Sequence, residues 1–435
     1  MGPKLKLIFI SLFLIAVILL FAWRIDGQTL DILPARALVI EAVSPPSVTP
    51  HPLETWNFTD KLKEAEGLVA SSSLDLKVSK NDIVYYESRI SRDNEGRITG
   101  ITRKKMSDPE REIALVLVDI NSGDLELIKI TERGNNLTYP NGYEIENVER
   151  PSGITNNAWN TCRRVIQPDN KAIILNVWPH YVTKRVAHVA KNKKGKLVTT
   201  YKSQKFLEKV VYTPYCDQIH IPEFVGDGKK YRKSITEQAF AILRDKQVQS
   251  KAFPGTLVAD VEYLRPEYFE MLPLVEHMDY GEFSLDPRKS AERVDVILGT
   301  NMSRAYSLTC SKAKACGALQ YTKATWNSMD KKYPAADLPI FELGVANHVI
   351  SVSAAILLFD NNLAAAIKEF GTKILDDPDQ LSEMLYANYN GGTVRPYKSY
   401  KASILKSLED WLINPMRAET KQYIEKYRYV RENYN

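Results

Sequence analysis

The sequence predicts an α+β protein in three successive parts: an N-terminal transmembrane helix, a β-rich middle and a mostly α-helical C-terminal part. Three observations predict it. An uncharged apolar run fills Leu7–Trp23, β-branched and aromatic runs of strand length recur from about Asp82 to Phe224, and helical spacing of apolar residues returns from Lys230 onward. At 435 residues the chain exceeds one ordinary core, so two folded domains plus extras are expected. With 44% apolar and 10% aromatic residues it is not a disordered polymer. Its 58 basic and 53 acidic residues give a net charge of +5, which suits an anionic surface. No nucleic-acid motif accompanies that charge, so nucleic acid is not an expected partner.

The N-terminal run follows Lys4 and Lys6 and ends at Arg24 and Asp26. Its length at helical rise is about 25 Å, enough to span with snorkelling flanks. Phe21, Trp23 and Arg24 stand where a cleavage site would need small residues. Residues 1–26 are therefore read as an uncleaved signal anchor in the cytoplasmic membrane. A single pass then leaves the C-terminal part extracytoplasmic; the alternative is secretion after signal cleavage. Residues 27–80 are a linker. Its Pro-rich stretch Val43–Pro52 favours extended backbone, and a short amphipathic helix is expected over Asp60–Ser73.

Residues 81–228 are read as a β-rich domain of unassigned role. Strands are expected at Ile83–Ile90, Ile113–Ile120, Leu125–Ile130, Ala172–Val177, Arg185–Ala190, Leu197–Tyr201 and Lys209–Tyr212. Asn121–Asp124 contains the Gly of a hairpin turn. Asn192–Gly195 reads as a turn whose lysines are solvated. Residues 229–261 are a connecting helix, with Ile235, Ala239, Ile242 and Leu243 on one face. Residues 262–435 form the helical domain. Export gives the four cysteines meaning. Cys162–Cys216 is the expected pair in the middle region and Cys310–Cys316 in the helical one, although that second short loop suits two reduced thiols equally. The six His are scattered and no H-E-x-x-H or C-x-x-C occurs, so no metal or other cofactor is expected.

The most informative stretch is Ser311–Trp326, SKAKACGALQYTKATW. Gly317 permits close backbone approach and Gln320 offers both a donor and an acceptor. Two more blocks follow: Tyr386–Gly392 (YANYNGG) and Arg417–Ile424 (RAETKQYI), with the apolar Phe341–Asp360 between the first block and these two. In this order they resemble the signature of the soluble lytic murein transglycosylase family. The resemblance covers roughly the last 170 residues. It implies a lysozyme-like domain acting on peptidoglycan glycan strands. Family members cleave the β-1,4 bond between N-acetylmuramic acid and N-acetylglucosamine, with one Glu as acid and base, and leave a 1,6-anhydro product. By the same resemblance Ser311, Gly317, Gln320 and Asn390 are candidate substrate-binding residues. Tyr389 is expected beside the acid, where its hydroxyl orients the carboxyl or the sugar. Glu419 and Tyr423 are expected to dock the last helix rather than meet substrate.

The acid itself departs from the family pattern, because the gapless position is Met302, followed by Ser303. The acid must lie upstream or be absent. Glu276 ends a strongly apolar segment, the setting that raises a carboxyl pKa, although Pro273 interrupts that segment. Glu282, the alternative, keeps the family spacing in Glu282–Pro287 but follows polar or flexible residues. The apolar approach favours Glu276. The insertion Leu285–Thr300 is expected to form an extra helix on the groove rim, through Val294, Ile297 and Leu298. Two competing readings remain: an inactive lysozyme-like glycan-binding module, and a hydrolytic muramidase using Asp279 or Asp286 as a second carboxylate.

Overall fold

The computed structural model of the chain describes residues 56–434, apart from 80–82, 93–97, 109, 135, 150–157, 192–195 and 409. The expected transmembrane helix over 1–26 and the Pro-rich spacer lie outside the described residues. Within them the protein is mixed α+β, with a sheet-rich middle and a helical C-terminal region.

Helix α1 (Phe58–Ser71) begins at Asn57, whose side chain accepts from the Asp60 N–H, an N-cap. Strands β1 (Ile83–Arg92) and β2 (Ile98–Asp108) form an antiparallel ribbon of their own. β3 (Arg111–Asp119), β4 (Leu125–Arg133) and β5 (Asn136–Thr138) begin the main sheet. β6 (Glu144–Glu149) and β7 (Cys162–Gln167) pair separately, and β8 (Lys171–Lys191) and β9 (Leu197–Tyr212) complete the main sheet in the order β5-β4-β3-β8-β9. Central strand β3 is buried from Ile113 to Val118, because both its faces are covered. Ala114, Val116 and Val118 meet Leu62, Ala65 and Val69 of α1. Ile113, Leu115 and Leu117 face the other way and join the core that continues into the helices.

The β3–β4 turn is built by Asp119, whose carboxylate accepts from the Asn121 and Ser122 N–H groups at 2.9 and 3.1 Å. Gly123 closes it at φ +76°. The four strands expected between Ala172 and Tyr212 are only two. Pro179 and a run of basic residues break the apolar alternation there, but β8 and β9 pair without interruption from Asn176 to Lys191. Pro179 costs no ladder bond on the β3 side, because β8 has left β3 after Val177.

The helical region comprises α2 (Pro222–Asp245), α3 (Pro266–His277), α4 (Tyr280–Leu285), α5 (Pro287–Asn301), α6 (Lys323–Lys332), α7 (Phe341–Gly344), α8 (His348–Phe370), α9 (Pro378–Gly391), α10 (Val394–Leu405) and α11 (Ala418–Asn433). α8 is apolar and long enough to cross a membrane, but its Ser351–Asp360 segment is buried in the protein core. α2 starts at Pro222 and lies within the helical core rather than linking to it: Ile235, Ala239 and Leu243 are buried there. The helix expected on the groove rim is α5. It does not lie on a rim, because Val294, Asp295, Ile297 and Leu298 are wholly or almost wholly buried and it packs along α2. The Arg232 guanidinium and the Tyr434 hydroxyl both donate to Asp295 in that contact.

Two glycines set the α2–α5 separation. A Cβ at Gly228 or Gly299 would come within 3.0 Å of the other helix's backbone. Gly226, also in α2, has open space. Gly228→Ala is therefore expected to destabilise the protein by about 1–3 kcal/mol in denaturant unfolding. Gly226→Ala should be neutral or stabilising, by up to about 1 kcal/mol.

Candidate active site

Glu276 stands one residue before the end of α3. The helix starts with Pro266 in its first turn and runs through Pro273 without a break. That run carries an apolar face into the core, where Met271, Leu272, Leu274 and Val275 are all but fully buried. Glu276 is itself 8% exposed. Its carboxylate accepts from the Tyr423 hydroxyl of α11 at 2.6 Å.

The end of α3 leaves carbonyls without helical partners. Lys426, one turn beyond Tyr423 on α11, supplies donors: its ammonium bonds the carbonyls of Val275 and Met278. Asp279 then caps α4 by accepting from the Gly281 and Glu282 N–H groups. Glu276, Asp279, Asn390, Glu419, Tyr423 and Lys426 line one concavity of about 210 Å³.

Burial pushes the Glu276 carboxyl up to about 7, against the Tyr423 hydrogen bond and the Lys426 charge, which both lower it; the Glu419 charge adds to the rise. Its place at the negative end of α3 acts in the same direction. Burial lowers Lys426 to about 8, although Glu276, Asp279 and Glu419 favour its charged form. The arrangement thus holds a carboxyl that carries its proton near neutral pH, in a largely dry wall with one hydroxyl donor. That is what a general acid requires.

The structure places the other sequence candidates as follows. Glu282 lies in α4, ion-paired with Arg293 of α5 and away from the concavity. Met302, the gapless family position, is a half-exposed surface residue at 51%. Asn390 lines the concavity, and its side-chain Oδ1 accepts from the Thr420 hydroxyl at 2.9 Å. Tyr389 does not touch the carboxyl: its hydroxyl donates to the Leu319 carbonyl at 2.6 Å. The tyrosine on Glu276 is Tyr423, the residue expected only to dock α11.

Ser311, Gly317 and Gln320 do not line the concavity; they build the turn beneath Leu319. The Ser311 hydroxyl accepts from the Ala315 N–H, and the Gln320 amide donates to the Gly317 carbonyl at 2.8 Å. The Gln320 Oε1 is buried without a partner. Gly317 has φ +79°, and a Cβ there would strike the Val345 backbone. Cys310–Cys316 is a disulfide beside this turn, and Cys162–Cys216 joins β7 to the segment after β9. His277 points into the core, with Nε2 bonding the Ala318 carbonyl at 2.8 Å and its ring stacked on Tyr306. Burial lowers its pKa to about 3, so the ring is neutral and Nε2 carries the proton.

Sequence reasoning did not bring Glu419 and Lys426 beside Glu276, and it expected Tyr423 only to dock the last helix, whereas its hydroxyl also meets the Glu276 carboxyl. The signal was present in their spacing. Positions 419, 422, 423 and 426 share one helix face, and that face meets the end of α3. Among the described residues no group of three or more His, Cys, Asp or Glu side chains is placed to hold a metal. No protein-family model, no curated protein and no solved structure matches the chain.

The raised Glu276 pKa makes a stability prediction. A carboxyl raised on folding contributes stability that is present below about pH 4.5 and lost as pH rises through about 7. Glu276→Gln mimics the protonated form. It should leave stability unchanged near pH 4 and raise it by about 1–2 kcal/mol at pH 8, the gain being trimmed because Lys426 loses its counter-charge. Denaturant unfolding at the two pH values measures the difference.

Proposed function

We propose that the chain is a lytic transglycosylase, anchored in the cytoplasmic membrane by its N-terminal segment and acting outside it on peptidoglycan glycan strands. The observation that carries this reading is the buried, proton-bearing Glu276 in a concavity walled by α3, the YNGG end of α9 and α11. The second and third segments hold two of the three family-like blocks. The first block lies next to them, held by His277 and Tyr389 through the Ala318 and Leu319 carbonyls.

In this reading Glu276 gives its proton to the glycosidic oxygen of the β-1,4 bond as that bond to the muramic C1 breaks. The carboxylate so formed takes the proton of the muramic C6 hydroxyl as its oxygen bonds C1. The product is a 1,6-anhydro sugar, and Glu276 regains its proton with no water consumed. Tyr423 holds the carboxyl in place and supports its charged form between the two transfers. A single carboxyl suffices, unlike the pair that hydrolytic glycosidases use.

Glu276→Gln is expected to lower the cleavage rate by at least about 10²–10⁴-fold while glycan binding and fold persist. Glu282→Gln should leave the rate near wild type, and Tyr423→Phe should fall between the two. Mass spectrometry of digested peptidoglycan reads the chemistry. Anhydro ends support the proposal, reducing muramic ends indicate a hydrolytic muramidase, and intact glycan with retained binding indicates a non-catalytic module. With Glu276 as the acid, kcat/KM should fall as pH rises through about 7.

A further inference from the structure

The outer part of the β8–β9 ribbon carries more charge than the whole chain. Residues 181–207 contain eight Lys or Arg and no Asp or Glu, a net +8 against +5 for the entire sequence. The remainder, with 50 basic and 53 acidic residues, is net −3. Past Val177 the ribbon has left β3, and there β8 pairs with β9 alone.

Strand alternation places Tyr181, Val189 and Lys191 on one face with their cross-strand partners Leu207, Thr199 and Leu197. Val189 and Leu197, near the tip, are 58% and 64% exposed. Tyr181 and Leu207 are exposed toward the base, and Lys191 and Lys205 are exposed on the same face. Solubilising lysines alone give no reason for apolar side chains at the tip. A soluble polyanion would neutralise the charges and leave Val189 and Leu197 in water. An anionic bilayer accommodates both, because its phosphates take the charges and its interface takes the apolar groups.

We propose that the tip of the β8–β9 ribbon docks on an anionic phospholipid surface, with Val189 and Leu197 entering the headgroup region among the flanking basic residues. This inference does not rest on glycan cleavage, and its readout is independent of it. The test uses the full chain with Val189→Cys carrying an environment-sensitive fluorophore; the four native cysteines are held in disulfides. The labelled protein is mixed with phosphatidylcholine vesicles, with or without phosphatidylglycerol.

The expected result is a blue shift with the anionic vesicles and none with the zwitterionic ones, reversed by about 0.5 M NaCl. Because the label reports the ribbon, vesicle binding through the N-terminal run does not blur the comparison. The shift should vanish when Arg185, Lys191 and Lys205 are all changed to Ser. Thr199→Cys, the cross-strand neighbour of Val189, provides the same reading from β9 if the first variant folds poorly. Equal emission with both vesicle types overturns the proposal, as does a shift that survives the triple substitution. A shift produced by soluble polyphosphate and not by vesicles also overturns it, in favour of a polyanion site.

Discussion

The contact on which the site depends is the docking of α11 against the end of α3 through Lys426. A buried ammonium is costly unless its donors are satisfied. Here two carbonyls at the end of α3, left without helical partners, accept from it. The same contact fixes α11 in register, which brings Tyr423 onto the Glu276 carboxyl and Glu419 to the mouth of the concavity. The proton on Glu276, the tyrosine that holds it and the lysine that limits its pKa thus follow from one helix docking on another. The net effect on Glu276 is decided by desolvation, which outweighs both favourable partners.

The remaining helices hold this pair in position. α8 runs through the centre, and its wholly buried Asp360 gathers Ser250, Lys251 and Tyr333 around one carboxylate. α5 packs on α2 at glycine distance, and through Arg293 it occupies Glu282, the other carboxylate considered for the acid. The turn from Gly317 to Gln320 is clamped from two sides, by His277 of α3 and Tyr389 of α9, through adjacent backbone carbonyls. Ser311, Gly317 and Gln320, expected to bind substrate, shape this turn through their own contacts. That turn sets the spacing between α3, which bears Glu276, and α9, which bears Asn390.

Much of the fold was legible because it is written in local patterns. β3 shows as an apolar run, the Asn121–Asp124 turn as polar residues around a glycine, and α1 and the later part of α2 as helical spacing. The length of β8 and β9 was not legible, since their outer halves have no core to demand apolar alternation; pairing with each other sustains them. The burial of α5 was missed for the opposite reason. Its buried charges Arg293 and Asp295 read as surface until Glu282 and Arg232 are seen to neutralise them.

The sequence by itself favoured Glu276 over Glu282, because an apolar segment leads to Glu276 and nothing comparable precedes Glu282; the burial that raises its pKa is completed by α11. It also determined the four cysteines available for pairing and the concentration of positive charge in the ribbon. Only the tertiary structure decided which tyrosine meets that carboxyl. The motifs favoured Tyr389, but the tyrosine that arrives is Tyr423, 147 residues away in the chain from Glu276, because α11 docks on the end of α3. Local pattern specifies burial and periodicity; it cannot specify which of two distant hydroxyls arrives within hydrogen-bond reach, because that depends on how whole helices pack.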